Sequence, residues 1–348
     1  MRVLLPAYIK LKTKFTAYLI IVILIIGAFF LFREREVKQQ ELINVPEVKE
    51  PEPEPAVVEE VIKYIFIPDT FNNRIQIFDP DGNYINSIGK FGFDKEELRF
   101  PLDAIYFDDK VYVLDRGNNK IKVFDLNGTF LFLFDNKEID ILLPYDIDIF
   151  DNKLHIIDTF NNKVKVVDLN GKLLYQFGNM SSYAFTNIST RKNLKFPLGL
   201  AVNKDYIYIS DTMNNRIAVF THDGNFVKEF GNDLKKPFGI TLYNDLIYVA
   251  DSDNSMVKVY NTDGELINSF GSYGTKEEQF KHPSKMWIIN DHIYIADTMN
   301  HRIKVYTLDG KLDFIFGRFG NRPGEFKFPG GKRKVSNVYS SLSLSSSV

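Results

Sequence analysis

Two hydrophobic rhythms divide the chain. From Phe15 to Phe32 the sequence FTAYLIIVILIIGAFFLF runs eighteen residues without a charge. As a helix rising 1.5 Å per residue it would reach about 27 Å, roughly the thickness of a hydrocarbon core. From Ile65 onward apolar and polar residues instead alternate with period two, as in RIKVYT and IYIAD, and the apolar positions are β-branched or aromatic. That alternation predicts half-buried strands and not helices.

The strand pattern is itself repeated. IYIADTMNHRIKVYTLDGKLDFIFG, from Ile293, recurs from Ile207 and Ile247, and in more degraded form from Ile65, Val111 and Leu154, giving six copies. Their anchoring aspartates are Asp69, Asp115, Asp158, Asp211, Asp251 and Asp297, at intervals of 46, 43, 53, 40 and 46 residues. Fourteen residues before each stands a proline: Pro55, Pro101, Pro144, Pro197, Pro237 and Pro283. A constant interval beside a variable one confines length variation to one connection per copy.

Each copy reads as four strands: a after the proline, b ending at the Asp, c after an Asn and a cation, and d after an Asp-Gly or Asn-Gly turn such as Asp223-Gly224. Those dipeptides tolerate the positive φ of a two-residue hairpin. The predicted fold is all-β, a six-bladed β-propeller of four-stranded antiparallel blades, preceded by one N-terminal transmembrane helix. Blade one is ambiguous: AVVEE after Pro55 lacks the alternation of the other a strands, and a further proline, Pro329, precedes GGKRKVS. Pro55 is favoured, because Lys332, Arg333 and Lys334 would sit badly in a central strand.

Composition adds the boundaries. Residues 1–14 are a short basic segment, residues 15–32 the membrane helix, 33–54 a Pro/Glu-rich linker, 55–330 the propeller and 331–348 a Ser-rich tail. The linker contains VPEVKEPEPEPAVVEE, which cannot pack a core and favours an extended spacer. Four cations precede the span and Arg33, Arg35 and Lys38 follow it, a bias toward a cytoplasmic N-terminus and an extracytoplasmic propeller. The whole chain carries 43 Lys and Arg against 45 Asp and Glu, so no basic surface for nucleic acid is expected. Cysteine is absent, which removes disulfides, thiolate metal sites and cysteine nucleophiles.

ADTMNHRIKVYTLDGKLDFIFG, with the connections FGRFGNRPGEFKFP and GSYGTKEEQFKHP, resembles the NHL repeat over nearly all of residues 55–329. The resemblance implies a six-bladed propeller of the sort found in binding domains of ubiquitin ligases, in extracellular sensor domains of bacterial kinases and in the peptidyl-hydroxyglycine amidating lyase. It leaves function open.

In a propeller the b–c loops and d–a connections emerge on one face. That face should gather Arg74, Lys120, Lys163, Arg216, Arg302 and His301, a ring broken at Met256, either bracing the turns or forming an electropositive rim. The connections add Phe91, Tyr273 and Phe319, and the longest adds Tyr183, Phe185 and Arg191. The amidating lyase implies zinc held by histidines from several blades near the start of strand a, and only His282 stands there. A lactonase-like site would use Asp103, Asp146 and Asp148, without an evident base or full ligand shell. No catalytic residue, metal or cofactor is assigned. The function expected is a membrane-anchored extracytoplasmic binding or scaffold module for a protein, peptide or glycan, the alternative being a metal-dependent lyase or hydrolase using the central channel.

Overall fold

The structure, a computed structural model, describes residues 64–134, 136–178 and 193–330. Six antiparallel sheets follow one another along the chain, five of four strands and a first of three. The last is typical, with a (Pro283–Ile289), b (His292–Asp297), c (Arg302–Thr307) and d (Leu312–Phe316) joined side by side. Beyond the strands, one connection carries a short α-helix, Asn136–Ile139. No helix among the described residues is long and apolar enough to cross a membrane. The candidate span at residues 15–32 lies outside them.

The b strands are not half-buried as the alternation predicts: Ile65–Asp69 is buried throughout and Lys110–Asp115 at all but its first residue, and successive side chains point to opposite faces, so each face must be covered by a neighbouring blade. The result is six apolar clusters, one between each pair of adjacent blades. The cluster joining the last blade to the first contains Trp287, Tyr294 and Phe326 against Ile65, Ile67 and Phe78, which closes the ring. The turn glycines serve the same interfaces. Gly224, at φ 77°, adopts a conformation that an L side chain avoids, and a Cβ there would stand 2.5 Å from the Phe177 side chain of the preceding blade.

A buried carboxylate organises each blade. Asp69, Asp115, Asp158, Asp211, Asp251 and Asp297 are fully buried at the ends of the b strands. Each accepts a hydrogen bond from the Asn three residues on, at 2.7–3.0 Å. In five blades each also accepts the backbone N–H of the residue two before the repeat proline, Arg99, Leu142, Lys195, Lys235 and Lys281, at 2.7–2.9 Å. The b–c loop then turns at a left-handed residue, φ 57° at Asn73, whose Oδ1 accepts Phe100 N–H from the next blade. Asn119, Asn162 and Asn215 do likewise for Leu143, Phe196 and Lys236.

Blade one corrects the sequence reading. Asp69 takes its amide from Lys327 at 2.7 Å, Pro329 bridges Asp69 as Pro283 pairs with Asp297, and Thr298 donates to the Pro329 carbonyl at 3.0 Å. Pro329, not Pro55, therefore occupies the proline position of blade one. Register could not distinguish them, because Pro55 and Pro329 both satisfy the repeat interval. The Asp69 carboxylate decides it by the amide it accepts.

Ending the chain at Glu325 should remove Phe326 from its cluster and the Lys327 amide from Asp69, lowering the thermal midpoint by roughly 10 °C or more. Deleting residues 51–59, with Pro55, should leave the midpoint in place. Scanning calorimetry on both truncations checks the order.

Candidate functional site

The face carrying the b–c and d–a segments also carries most of the residues singled out from the sequence, in two different roles. Arg74, Arg216 and Arg302 spend Nε on Asp69, Asp211 and Asp297 at 2.8–2.9 Å. Their remaining nitrogens also bond inward: Arg302 Nη2 donates to the carbonyls of Thr275, Lys276 and Gln279, and Arg216 reaches Glu229. These arginines brace the turns. Lys120 and Lys163 are half-buried and form no ion pair among the described residues, and Lys163 is 3.4 Å from Gln176 Oε1. His301 accepts Phe328 N–H at Nδ1, 3.2 Å, and burial holds its pKa below the ordinary value, which keeps that nitrogen an acceptor.

Behind this ring lies a set of buried lysines that the sequence reading missed. Lys122, Lys165, Lys258 and Lys304, two residues into strand c, reach the blade carboxylates at 2.8–3.7 Å. Where Gln76 and Ala218 replace the lysine, burial outweighs the hydrogen bonds and raises the carboxyl pKa of Asp69 and Asp211. Burial lowers Lys304 to about 8. A Lys recurring at alternate strand positions was the available signal, but it reads as an exposed residue until the opposing connection is known.

Phe91, Tyr273 and Phe319 are 59, 68 and 64 % exposed. Each bridges the residue seven further on, Leu98, Phe280 and Phe326, so the connection folds back on a buried apolar residue and turns the aromatic outward. Tyr183, Phe185 and Arg191 lie outside the described residues.

At the centre of the face the a strands enclose a cavity of about 240 Å³, whose walls include Phe71, Tyr145, Phe238, His282 and Phe328, with Lys285 also lining it. Lys285 Nζ is 2.6 Å from Asp146 and 3.5 Å from Asp103. Burial pulls its pKa down and the two carboxylates more than restore it, so the ammonium stays charged. The same carboxylates tie neighbouring blades, Asp103 accepting Ile147 N–H and Asp146 accepting Leu200 N–H, while Asp148 accepts Val202 N–H. The proposed lactonase-like triad is thus occupied by a lysine and by amides. Among the described residues no three His, Cys, Asp or Glu side chains gather as a metal site. His282 stacks edge-on to Phe238 at 4.9 Å, and Tyr145, its pKa pushed up to about 12 by burial, stays a neutral phenol.

His155 fills a slot that the other blades give to Phe66, Tyr112, Tyr208, Tyr248 or Tyr294. It is buried, and burial lowers its pKa to about 3.

A family model described as a six-bladed β-propeller matches residues 53–135 and 231–315, together a little under half of the chain. No curated protein sequence matches. Among solved structures the chain is similar to a streptogramin B lyase at 14 % identity, covering 78 % of this chain and 83 % of that one with a TM-score of 0.55. A chain of the nidogen/laminin complex matches at 13 % identity over 78 % and 97 %, TM-score 0.58. Virginiamycin B lyase from Staphylococcus aureus matches at 17 % over 68 % and 75 %, TM-score 0.50. At these identities the likeness is one of fold, and the fold is the six-bladed propeller.

Two outcomes are expected. Lys285→Met should destabilise the propeller by about 3–5 kcal/mol by leaving two buried carboxylates uncompensated, and adding Asp103→Asn and Asp146→Asn should recover part of it, read by urea denaturation. For His155 the unfolded chain takes a proton first, so its contribution is complete above pH 6.5 and is lost as pH falls toward about 3. His155→Tyr, which restores the residue of the neighbouring blades, should flatten the stability profile over that window.

Proposed function

We propose that this chain is an NHL-type propeller acting as a binding or scaffold module, held at a membrane by residues 15–32 with the propeller outside the cytoplasm, and recognising a protein, peptide or glycan. The observation that carries the reading is the placement of exposed apolar side chains. Among the described residues, outside the outermost d strands, every large exposed apolar residue sits in a b–c loop or a d–a connection: Phe71, Phe160, Met213 and Met299 in the former, Phe91, Phe93, Phe196, Tyr273 and Phe319 in the latter. The a–b hairpins of the opposite face present Asp108-Asp109, Asp151-Asn152 and Asn290-Asp291 instead. Apolar residues gathered on one preformed face mark an interaction surface. The six interlocked blades hold that face rigid, so recognition loses little ordering entropy.

Channel chemistry has less support, because the carboxylates that would serve it are engaged by Lys285 and by blade-to-blade amides. The likeness to two lyase structures is one of fold.

Full-length chain in detergent, screened on peptide and glycan arrays, should bind a ligand in the presence of EDTA. The combined substitution Phe71→Ser, Tyr273→Ser, Phe319→Ser should weaken that ligand at least about tenfold, and Ile267→Ser on a d strand should not. Binding that requires a divalent cation, or that survives the triple substitution, overturns the reading. Protease added to intact cells should digest the propeller, and protection there would reverse the topology.

A further inference from the structure

The residue two before each repeat proline donates its amide to the blade carboxylate and accepts, through its carbonyl, the N–H of the residue two beyond that carboxylate. The pairs are Lys327 with Phe71, Lys195 with Met213 and Lys281 with Met299, all at 3.1 Å. Arg99 is bonded in the same way to Gly117 and Lys235 to Asp253. Five of six blades therefore place a cation around the channel mouth, and three set an exposed Phe or Met beside it. The backbone at these positions is fully engaged, whereas of their side chains only Arg99, over the Phe93 and Phe100 rings, and Lys327, over Phe319, lie against aromatic groups among the described residues. None of Arg99, Lys195, Lys235, Lys281 and Lys327 forms an ion pair among the described residues. This separates them from the bracing arginines.

Arg116 is a second, independent irregularity. Its position is held elsewhere by Thr70, Thr159, Thr212, Ser252 and Thr298, each donating to the proline carbonyl of the next blade. In blade two that hydroxyl is missing, and a guanidinium stands there with a buried Nε that has no hydrogen-bond partner. It lies 5.9 Å from the ring of Tyr145, on the wall of the central cavity. In this blade a structural hydroxyl is replaced by a guanidinium that leaves its buried Nε unpartnered beside the cavity wall.

The opposite face has the reverse charge. Its c–d turns carry Asp79, Asp81, Asp168, Asp223, Asp263 and Asp309, so the two faces of a nearly neutral propeller differ in sign.

We infer that the channel-mouth face docks an acidic peptide segment, whose carboxylates meet Arg99, Lys195, Lys281, Lys327 and Arg116 while one apolar side chain enters the cavity walled by Phe71, Phe238 and Phe328. The inference rests on the binding-module reading and names its partner. An amphipathic acidic peptide fits better than a glycan or a nucleic acid, because the apolar groups beside the cations include flexible methionines and the cavity is lined by aromatic side chains. That combination takes in a Leu or Phe side chain, and the methionines adapt to the aliphatic side chains of a peptide.

The probe is a fluorescent peptide of about ten residues with Asp and Glu around one central Leu, compared by polarisation with the same peptide bearing Lys for every acid, with polyuridylate and with a heparin fragment. Full-length protein should bind the acidic peptide at micromolar Kd, at least about tenfold more weakly as salt rises from roughly 50 to 500 mM. Lys195→Glu, Lys281→Glu, Lys327→Glu together should weaken it at least about tenfold with an unchanged thermal midpoint, and Arg116→Thr, the residue of the other blades, should weaken it about threefold or more. Equal affinity for acidic and basic peptides, undiminished binding by the charge-reversed protein, or preference for the polynucleotide or heparin overturns the acidic-peptide partner. A neutral or basic peptide bound here and lost on Phe71→Ser, Tyr273→Ser, Phe319→Ser would overturn the partner and leave the binding face standing. Silence toward every array ligand would overturn the binding-module reading itself.

Discussion

Six aspartates taken wholly out of water govern this structure. A buried carboxylate is tolerable only when its oxygens are matched by donors. Here each receives an amide from the approaching d–a connection, a side-chain amide from its own b–c loop and a cation from strand c. The donor amide lies sixteen residues before its aspartate within a blade, as Arg99 does before Asp115. The fixed spacing of proline and aspartate along the chain is therefore the imprint of one hydrogen bond. Outside that segment nothing measures distance, and the connections vary freely.

The same bond explains the division of labour on the face of the b–c loops and d–a connections. Backbone groups there are committed to the blade carboxylates and to the next blade's loop residues, which leaves side chains as the only variable. Some are drawn back into the structure: Arg74, Arg216 and Arg302 complete the carboxylates, and His301 stands in for an asparagine as acceptor. Others stand exposed on this face, among them Phe91, Tyr273 and Phe319, and Lys195 and Lys235, two before their repeat prolines. Only this second group is free to be shaped by a partner. Near the axis the strands come so close that Gly199 and Gly239 have no room for a Cβ, which would stand 2.0 and 2.4 Å from neighbouring carbonyl oxygens. Asp103, Asp146 and Lys285 occupy the corresponding positions of three other blades and form one ion-paired cluster there.

The blade count, the four-strand pattern, the hairpin turns and the face that bears the connections were all legible in the residues, because each depends on local periodicity or on a spacing within one repeat. The exposed aromatics of the connections were legible for the same reason. Lys285 and the strand-c lysines were not. A lysine at an alternating position has one meaning against water and another against a carboxylate, and the carboxylate that decides comes from a distant segment: Lys285 and Asp103 are 182 residues apart.

What the sequence determined by itself was the repeat unit and its number, since strand alternation and Asp-Gly turns act over a few residues and need no partner to be recognised. Which terminus completes blade one, which cations are braces and which are free, and what fills the channel were decided only when the ring closed. Those are pairings between residues tens to hundreds of positions apart. The sequence holds both partners but no measure of the distance between them.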